Sequence, residues 1–404
     1  MTYKSLKTHF HQDSDSSTRL YAQRITSESA LRWDFNIGEN PAFCLLTPEL
    51  VTQSEQIFIT ERKIQEIWQA LPPVATKGYL NKLLVNEIKA TNDIEAVHST
   101  RNEISAALQR KFWNEVTKNR FEEIARIYRE LGSGTRPVPT TCEDIKNIFD
   151  TVTAGEIAEE DRIDDGLFRS DTTQIVSGTK VIHKAVPVEE IEPRIQIMLD
   201  ILNDDDIPAL IAAMVTHFMF EYIHPFFDGN GRTGRFLLAQ KLYTVLLPPT
   251  VMALSPALFE KRNNYYKAFE ETEHPLNKGD LTLFVATLLK ILLQAQNAAL
   301  TDLTARHDGY KKLNGSVDKR KTGNKVPDRH VDIQFLLGQA WLFSEERSID
   351  LDILEKYFLE TKATLRSDLE TLCQKGLVVK RRSKPLAFAL TSQACEELGL
   401  EAIE

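Results

Sequence analysis

Twelve consecutive positions, His224-Pro225-Phe226-Phe227-Asp228-Gly229-Asn230-Gly231-Arg232-Thr233-Gly234-Arg235, bring together a histidine, an aspartate, three glycines, an asparagine and two arginines. Imidazole is the side chain best suited to moving a proton near neutral pH. A lone carboxylate such as Asp228 offers the hard oxygen that Mg2+ takes. Gly229, Asn230 and Gly231 would present backbone N–H groups to an anion, and Arg232 and Arg235 would add charge-assisted contacts to phosphate. The segment therefore reads as a phosphate and metal site with His224 left as the base. Two other loops are excluded by spacing. An EF-hand starting at Asp228 needs Gly and Glu where Thr233 and Ala239 stand. A Walker A loop needs Gly-Lys followed by Ser or Thr.

Two helices must hold this loop. Residues 208–223 are apolar apart from Thr216, His217 and Glu221, and Pro208 suits a first helical position, so a buried helix should end at His224. Residues 236–247 show helical spacing of apolar side chains. The loop between them then feeds a helix N-terminus, where free amides attract anions.

Every fixed position of the pattern HPFx(D/E)GNGRxxR is present, and the segment resembles the motif of the Fic family. The resemblance implies transfer of AMP from ATP, as co-substrate with Mg2+, to a Ser, Thr or Tyr hydroxyl of a target protein or of the chain itself, and its reversal at the same site. It makes His224 the base toward the hydroxyl, Asp228 the Mg2+ ligand, Phe226 a core anchor, and Gly229, Asn230 and Gly231 the anion hole. Arg232 and Arg235 would hold the distal phosphates, Arg235 the γ-phosphate, with Thr233 and Gly234 completing the nucleotide-binding turn. Relatives that phosphorylate have Asp-Ala-Asn-Lys-Arg instead, so Asp-Gly-Asn-Gly-Arg points to AMP transfer.

A second resemblance lies upstream. Thr91 and Glu95 match the (S/T)xxxE(G/N) pattern of the family's inhibitory helix, here expected at about 80–96, and Ala96 departs from it. In the family this glutamate pairs with the second motif arginine, here Arg235, and one guanidinium cannot satisfy both a carboxylate and a phosphate. Residues 174–183, two β-prone runs around Ser177-Gly178, read as a hairpin. In position it resembles the family's flap over the target segment. Tyr265 and Tyr266 resemble residues lining the nucleotide pocket, with core packing as the competing explanation. His183 and His217 read as structural.

The chain has 404 residues, a net charge of −9 and 42% apolar residues, enough for two or three domains. That charge argues against a chain built wholly for nucleic acid. Cys44, Cys142, Cys373 and Cys395 are scattered and fit a reducing cytoplasm. No run reaches the roughly 18 apolar residues of a spanning helix, so no membrane role is expected. The expected fold is mainly α: an N-terminal helical arm at 1–75, a Fic-type core with a β-hairpin flap at 76–300, a linker at 301–331, and a winged helix-turn-helix at 332–404. In the last, Lys362, Thr364 and Arg366 would face a DNA groove, with Lys380, Arg381 and Arg382 on the wing. Asp368 and Glu370 weaken that picture, so protein contact or a homodimer is preferred over DNA. The competing class is a nucleotide-sensing, DNA-binding regulator.

Overall fold

The computed structural model describes residues 3–109, 121–134, 136–163, 165–177, 180–322 and 328–401. The hairpin turn at 178–179 and residues 323–327 of the expected linker lie outside the described residues. The fold is mainly α, as expected, with three small antiparallel sheets. The chain divides into two compact units, one formed by Met1–Glu61 and Leu84–Asn297, the other by Arg62–Leu83 and Ala298–Glu404.

The first unit is built around the helix Ala209–Ile223, nearly every residue of which is buried, as its apolar sequence requires. It packs against the helices Val188–Asn203 and Asn230–Leu242. The latter starts six residues before its apolar periodicity does, because its first turns carry Asn230, Gly231, Arg232 and Arg235 instead of core residues. Strands β1 (Ala30–Ile37) and β2 (Asn40–Leu45) pair antiparallel.

The expectation of a separate arm over residues 1–75 is corrected here. The Tyr3 hydroxyl donates to Asp280 Oδ2 at 2.6 Å, and Arg24 Nη1 reaches the same oxygen at 3.0 Å. Phe43 exchanges backbone bonds of 3.0 and 2.9 Å with Gly279 and Leu281. Leu6, Phe35, Phe43 and Cys44 are core residues of the first unit. Short, alternating polar and aromatic segments carry no long periodicity, so the sequence hid a packed subdomain. Beyond it, the helix expected at about 80–96 is observed as Pro73–Ile94.

Strands β3 (Gln174–Ser177) and β4 (Lys180–Lys184) form the expected hairpin, with Ile175 opposite His183. The polar stretch at 301–331 reads in the sequence as a linker or a solvated helix extension, and the helix Thr282–Thr322 runs through most of it. This helix is long and apolar enough, by length and composition only, to cross a membrane. Phe284, Val285, Leu288, Leu289 and Leu292 on it are fully buried in the first unit, as a core helix requires.

In the second unit, Tyr79 donates to Asp302 Oδ2 at 2.8 Å and Arg306 pairs with Asp302 at 2.9 Å. The helix Asp328–Phe343 is followed by β5 (Ile349–Asp350), a short helix Leu351–Leu354, and the helix Lys362–Gln374, capped by the Thr361 hydroxyl. Strands β6 (Val378–Ser383) and β7 (Leu386–Leu390) complete a sheet of order β5-β7-β6. Leu354, Leu365, Leu369 and Leu372 are buried beneath it.

Candidate active site

The helix Ala209–Ile223 ends at His224, whose backbone is left-handed at φ 51° with its N–H still donating to Phe220 O at 3.0 Å. This sharp exit turns Pro225 and Phe226 back into the core. Phe226 is fully buried and stacks on Phe149 with ring centroids 3.7 Å apart. Asn230 ties the loop down: its Oδ1 accepts from Phe226 N at 2.9 Å and its Nδ2 donates to Phe226 O at 2.7 Å. Its side chain is thus structural, and its anion-binding capacity rests on the backbone. Gly229 caps the next helix at φ 80°, where a side chain would be strained and a Cβ would collide with Thr153. Asp228 is exposed at the mouth of the loop, with Oδ1 accepting from Gly229 N at 2.6 Å.

Arg169, which sequence reasoning passed over, clamps this loop. Its Nε donates to His224 O at 2.9 Å, its backbone N–H donates to Pro225 O at 3.0 Å, and its other nitrogens bond Asp171 O and Val186 O. The side chain is fully buried, and its partners are backbone oxygens that no residue pattern advertises. The His224 imidazole is pushed down to about 4 by burial, by His183 and by Arg169, with a backbone contact at Glu221 acting the other way. It is therefore neutral at neutral pH, the form able to accept a proton. The His183 ring lies 6.3 Å away, fixed by Glu273 at 2.7 Å and Tyr222 O at 2.9 Å.

Arg235 is engaged from the end of the helix Pro73–Ile94. Its Nε donates to Thr91 Oγ1 at 2.9 Å and its Nη2 to Thr91 O at 3.0 Å, while Nη1 pairs with Glu95 Oε1 at 2.8 Å. The Glu95 carboxylate lies so close to Gly231 that a Cβ there would collide with it. Glu95 is the C-cap of its helix: Val97 N bonds Asn92 O at 2.9 Å and Ala96 N bonds Asp93 O at 3.2 Å. Ala96 follows in the left-handed region at φ 55°, which explains why Gly or Asn is usual there. A carboxylate at a helix C-terminus is opposed by the macrodipole, so Glu95 owes its place to Arg235.

Behind Arg235 lie two carboxyls that carry no signature in the sequence. Glu221 sits against Gly234 and is pushed up to about 8 by burial, with Arg235 lowering and Glu95 raising it. Glu87 is pushed up to about 7 by burial, and the Ser255 hydroxyl and amide, bonded to it at 2.5 and 3.1 Å, act the other way. Arg232, by contrast, turns toward Glu156 on the turn after the helix Cys142–Val152 and forms a buried ion pair. Thr233 bonds Gly229 O at 2.9 Å through its hydroxyl and closes the first turn. Of the tyrosines, Tyr265 is buried and bonded to His217 Nε2 at 2.7 Å, while Tyr266 is exposed with its hydroxyl 3.4 Å from Ile94 O. His217, pushed down to about 3 by burial first and Arg235 second, also contacts Gly234 O at 3.2 Å.

Among the described residues no three His, Cys, Asp or Glu side chains gather to hold a metal. Asp228 alone is a donor set that fits Mg2+, which commonly takes one or two carboxylates and fills its remaining positions with substrate phosphates and water.

The helix–loop–helix thus gathers a half-buried neutral histidine, the amides that open the helix Asn230–Leu242 and two arginines on an α-helical scaffold. Residues 139–242 match the Fic/DOC family, and the matched segment contains the whole loop. The chain is 31% identical over 111 residues to protein adenylyltransferase Fic of Nematostella vectensis, covering 27% of this chain and 24% of that protein. It is 31% identical over 137 residues to protein adenylyltransferase fic-1 of Caenorhabditis elegans, covering 33% and 24%. It thus spans about a quarter of the length of these curated relatives. A Fic family protein from Desulfovibrio desulfuricans G20 shares the fold, with a TM-score of 0.52 at 20% identity over 86% of this chain and 97% of that one.

Proposed function

We propose that the chain is a protein adenylyltransferase restrained by Glu95. The observation that carries this reading is the position of the Glu95 carboxylate, on Arg235 and against Gly231, where the resemblance puts the γ-phosphate. In the released enzyme, the amides at Gly229–Gly231 and the two arginines orient the triphosphate, and the hairpin β3–β4 holds the target segment. Neutral His224 takes the proton of the target hydroxyl as its oxygen bonds to the α-phosphorus and the bond to the bridging oxygen breaks, releasing pyrophosphate. Asp228 would hold Mg2+, which neutralises phosphate charge when bound. Reversal at the same centre, Tyr266 as a base-stacking face, and a cytoplasmic location belong to the same proposal.

The test is label incorporation from α-labelled ATP with Mg2+ into wild type, Glu95→Gly, and Glu95→Gly with His224→Ala. Labelling that rises in the first variant and disappears in the second supports the reading. Equal labelling in all three rules it out.

Residues 328–401 are proposed as a winged-helix module used for protein contact, including with a second copy. Lys362 is paired with Asp352 at 3.0 Å and Glu355 at 3.4 Å, and Arg382 with Asp350 at 2.7 Å and Glu346 at 3.3 Å. Cations already paired with carboxylates on their own surface make a weak phosphate-binding face. The regulator reading therefore stands second.

A further inference from the structure

Both motif arginines face a carboxylate, and the two carboxylates come from different elements. Glu95 reaches Arg235 from the C-cap of its helix, with its side chain 31% exposed. Glu156 reaches Arg232 from the turn that follows Cys142–Val152, and here the side chains are only 5% and 1% exposed. That turn is built into the anion loop. Thr153 stands where a Cβ on Gly229 would be and Ile157 packs beside that position, on either side of Glu156, and Gly155 takes a left-handed φ of 77° to bring the chain round. Glu156 N is held by Thr153 O at 3.0 Å, so the carboxylate is delivered to Arg232 by a fixed backbone.

Resting on the nucleotide reading above, we infer that Glu156 is a second specificity-determining carboxylate, which opposes the hold of Arg232 on the distal phosphates independently of Glu95. The argument is one of charge. A guanidinium already neutralised by a buried carboxylate has less attraction left for a polyphosphate, and the carboxylate itself repels the incoming charge. The pair is too buried for Glu156 to rotate into water as Glu95 can. Freeing Arg232 requires movement of the turn 153–157 or a phosphate that replaces the carboxylate. The two restraints therefore differ in kind: the Glu95 side chain can swing out, whereas Glu156 is bound to the turn against the loop. Glu156 touches Arg232 and not the reacting atoms, so it acts on nucleotide binding and on the preference for triphosphate over shorter ligands.

The experiment is calorimetric titration of the full chain with a non-hydrolysable ATP analogue plus Mg2+, and separately with adenosine. Wild type, Glu95→Gln, Glu156→Gln and the double variant are compared, each checked for an unchanged melting profile. Glutamine keeps an acceptor for Arg232 while removing the charge. Glu156→Gln should tighten the triphosphate analogue by at least about fivefold, with adenosine unchanged, and the double variant should show roughly the product of the two gains. If Glu156→Gln melts below wild type, Glu156→Asp, which keeps the charge, serves as a comparison: native melting with wild-type affinity supports the inference, and tightening in it overturns it. Tightening by Glu95→Gln with none, or a loss, by Glu156→Gln overturns the inference and leaves the proposed function standing. Absence of analogue binding in all four proteins removes both.

Discussion

Replacing Glu95 by glutamine removes one charge from the contact with Arg235. Glu95 Oε1 lies 2.8 Å from Arg235 Nη1, with the arginine side chain 2% exposed and the glutamate 31%. Hydrogen bonds between charged groups contribute about 1.5–3 kcal/mol, and solvent access on the glutamate side argues for the lower part, about 1.5–2 kcal/mol. This is the free energy a γ-phosphate must overcome on Arg235, so its removal should tighten a triphosphate analogue about 10- to 30-fold. The site should survive, because Arg235 keeps both Thr91 bonds and the neighbouring Glu221. Titration of wild type and Glu95→Gln with a non-hydrolysable ATP analogue reads the effect directly, with AMP as the control that does not reach Arg235. A gain below about twofold for the triphosphate, or an equal gain for AMP, would refute the competition argument.

Three further outcomes follow from the geometry. His224→Ala should abolish label transfer in the Glu95→Gly background while analogue affinity changes less than about threefold, since in the proposed reaction the imidazole serves the hydroxyl and not the phosphates. Ala96→Gly should relieve the left-handed strain at φ 55° and stabilise the first unit by roughly 1 kcal/mol, seen as a melting temperature about 2 °C higher. The Glu221 carboxyl, raised to about 8 by burial, binds its proton in the folded state while the unfolded chain has lost it above about 4.5. Its contribution to stability is thus present at low pH and lost as pH rises toward 8, and Glu221→Gln should flatten that decline in melting temperature between pH 5 and 8. His224 works in the opposite sense: lowered to about 4, it contributes stability above pH 6.5 that falls away as pH drops toward 4.

The candidate site was legible because its residues are contiguous. From His224 to Arg235 the sequence specifies a base, amides, two arginines and the glycines that let backbone approach anion, and the helix before them follows from its unbroken apolar run. The hairpin at 174–183 and the helix carrying Thr91 and Glu95 were readable for the same local reason. Even the Ala96 departure had a local cause, the left-handed C′ position of a helix end. What sequence reasoning missed are residues whose partners lie far along the chain or are backbone atoms. Glu156 lies 76 positions from Arg232, and Arg169 holds the loop through carbonyl oxygens. The N-terminal subdomain was unreadable because its elements are short and meet their partners around Gly279 and Asp280.

The sequence by itself thus determined the chemical inventory of the site and the periodicities of the helices on either side, since both are properties of neighbouring residues. The tertiary structure alone decided that Glu156 faces Arg232. It also decided that His224 is neutral, that burial raises the Glu221 carboxyl, and that Tyr265 is in the core while Tyr266 is outside. Those outcomes depend on burial and on charges brought together across long chain separations, and neither quantity exists until the chain has folded.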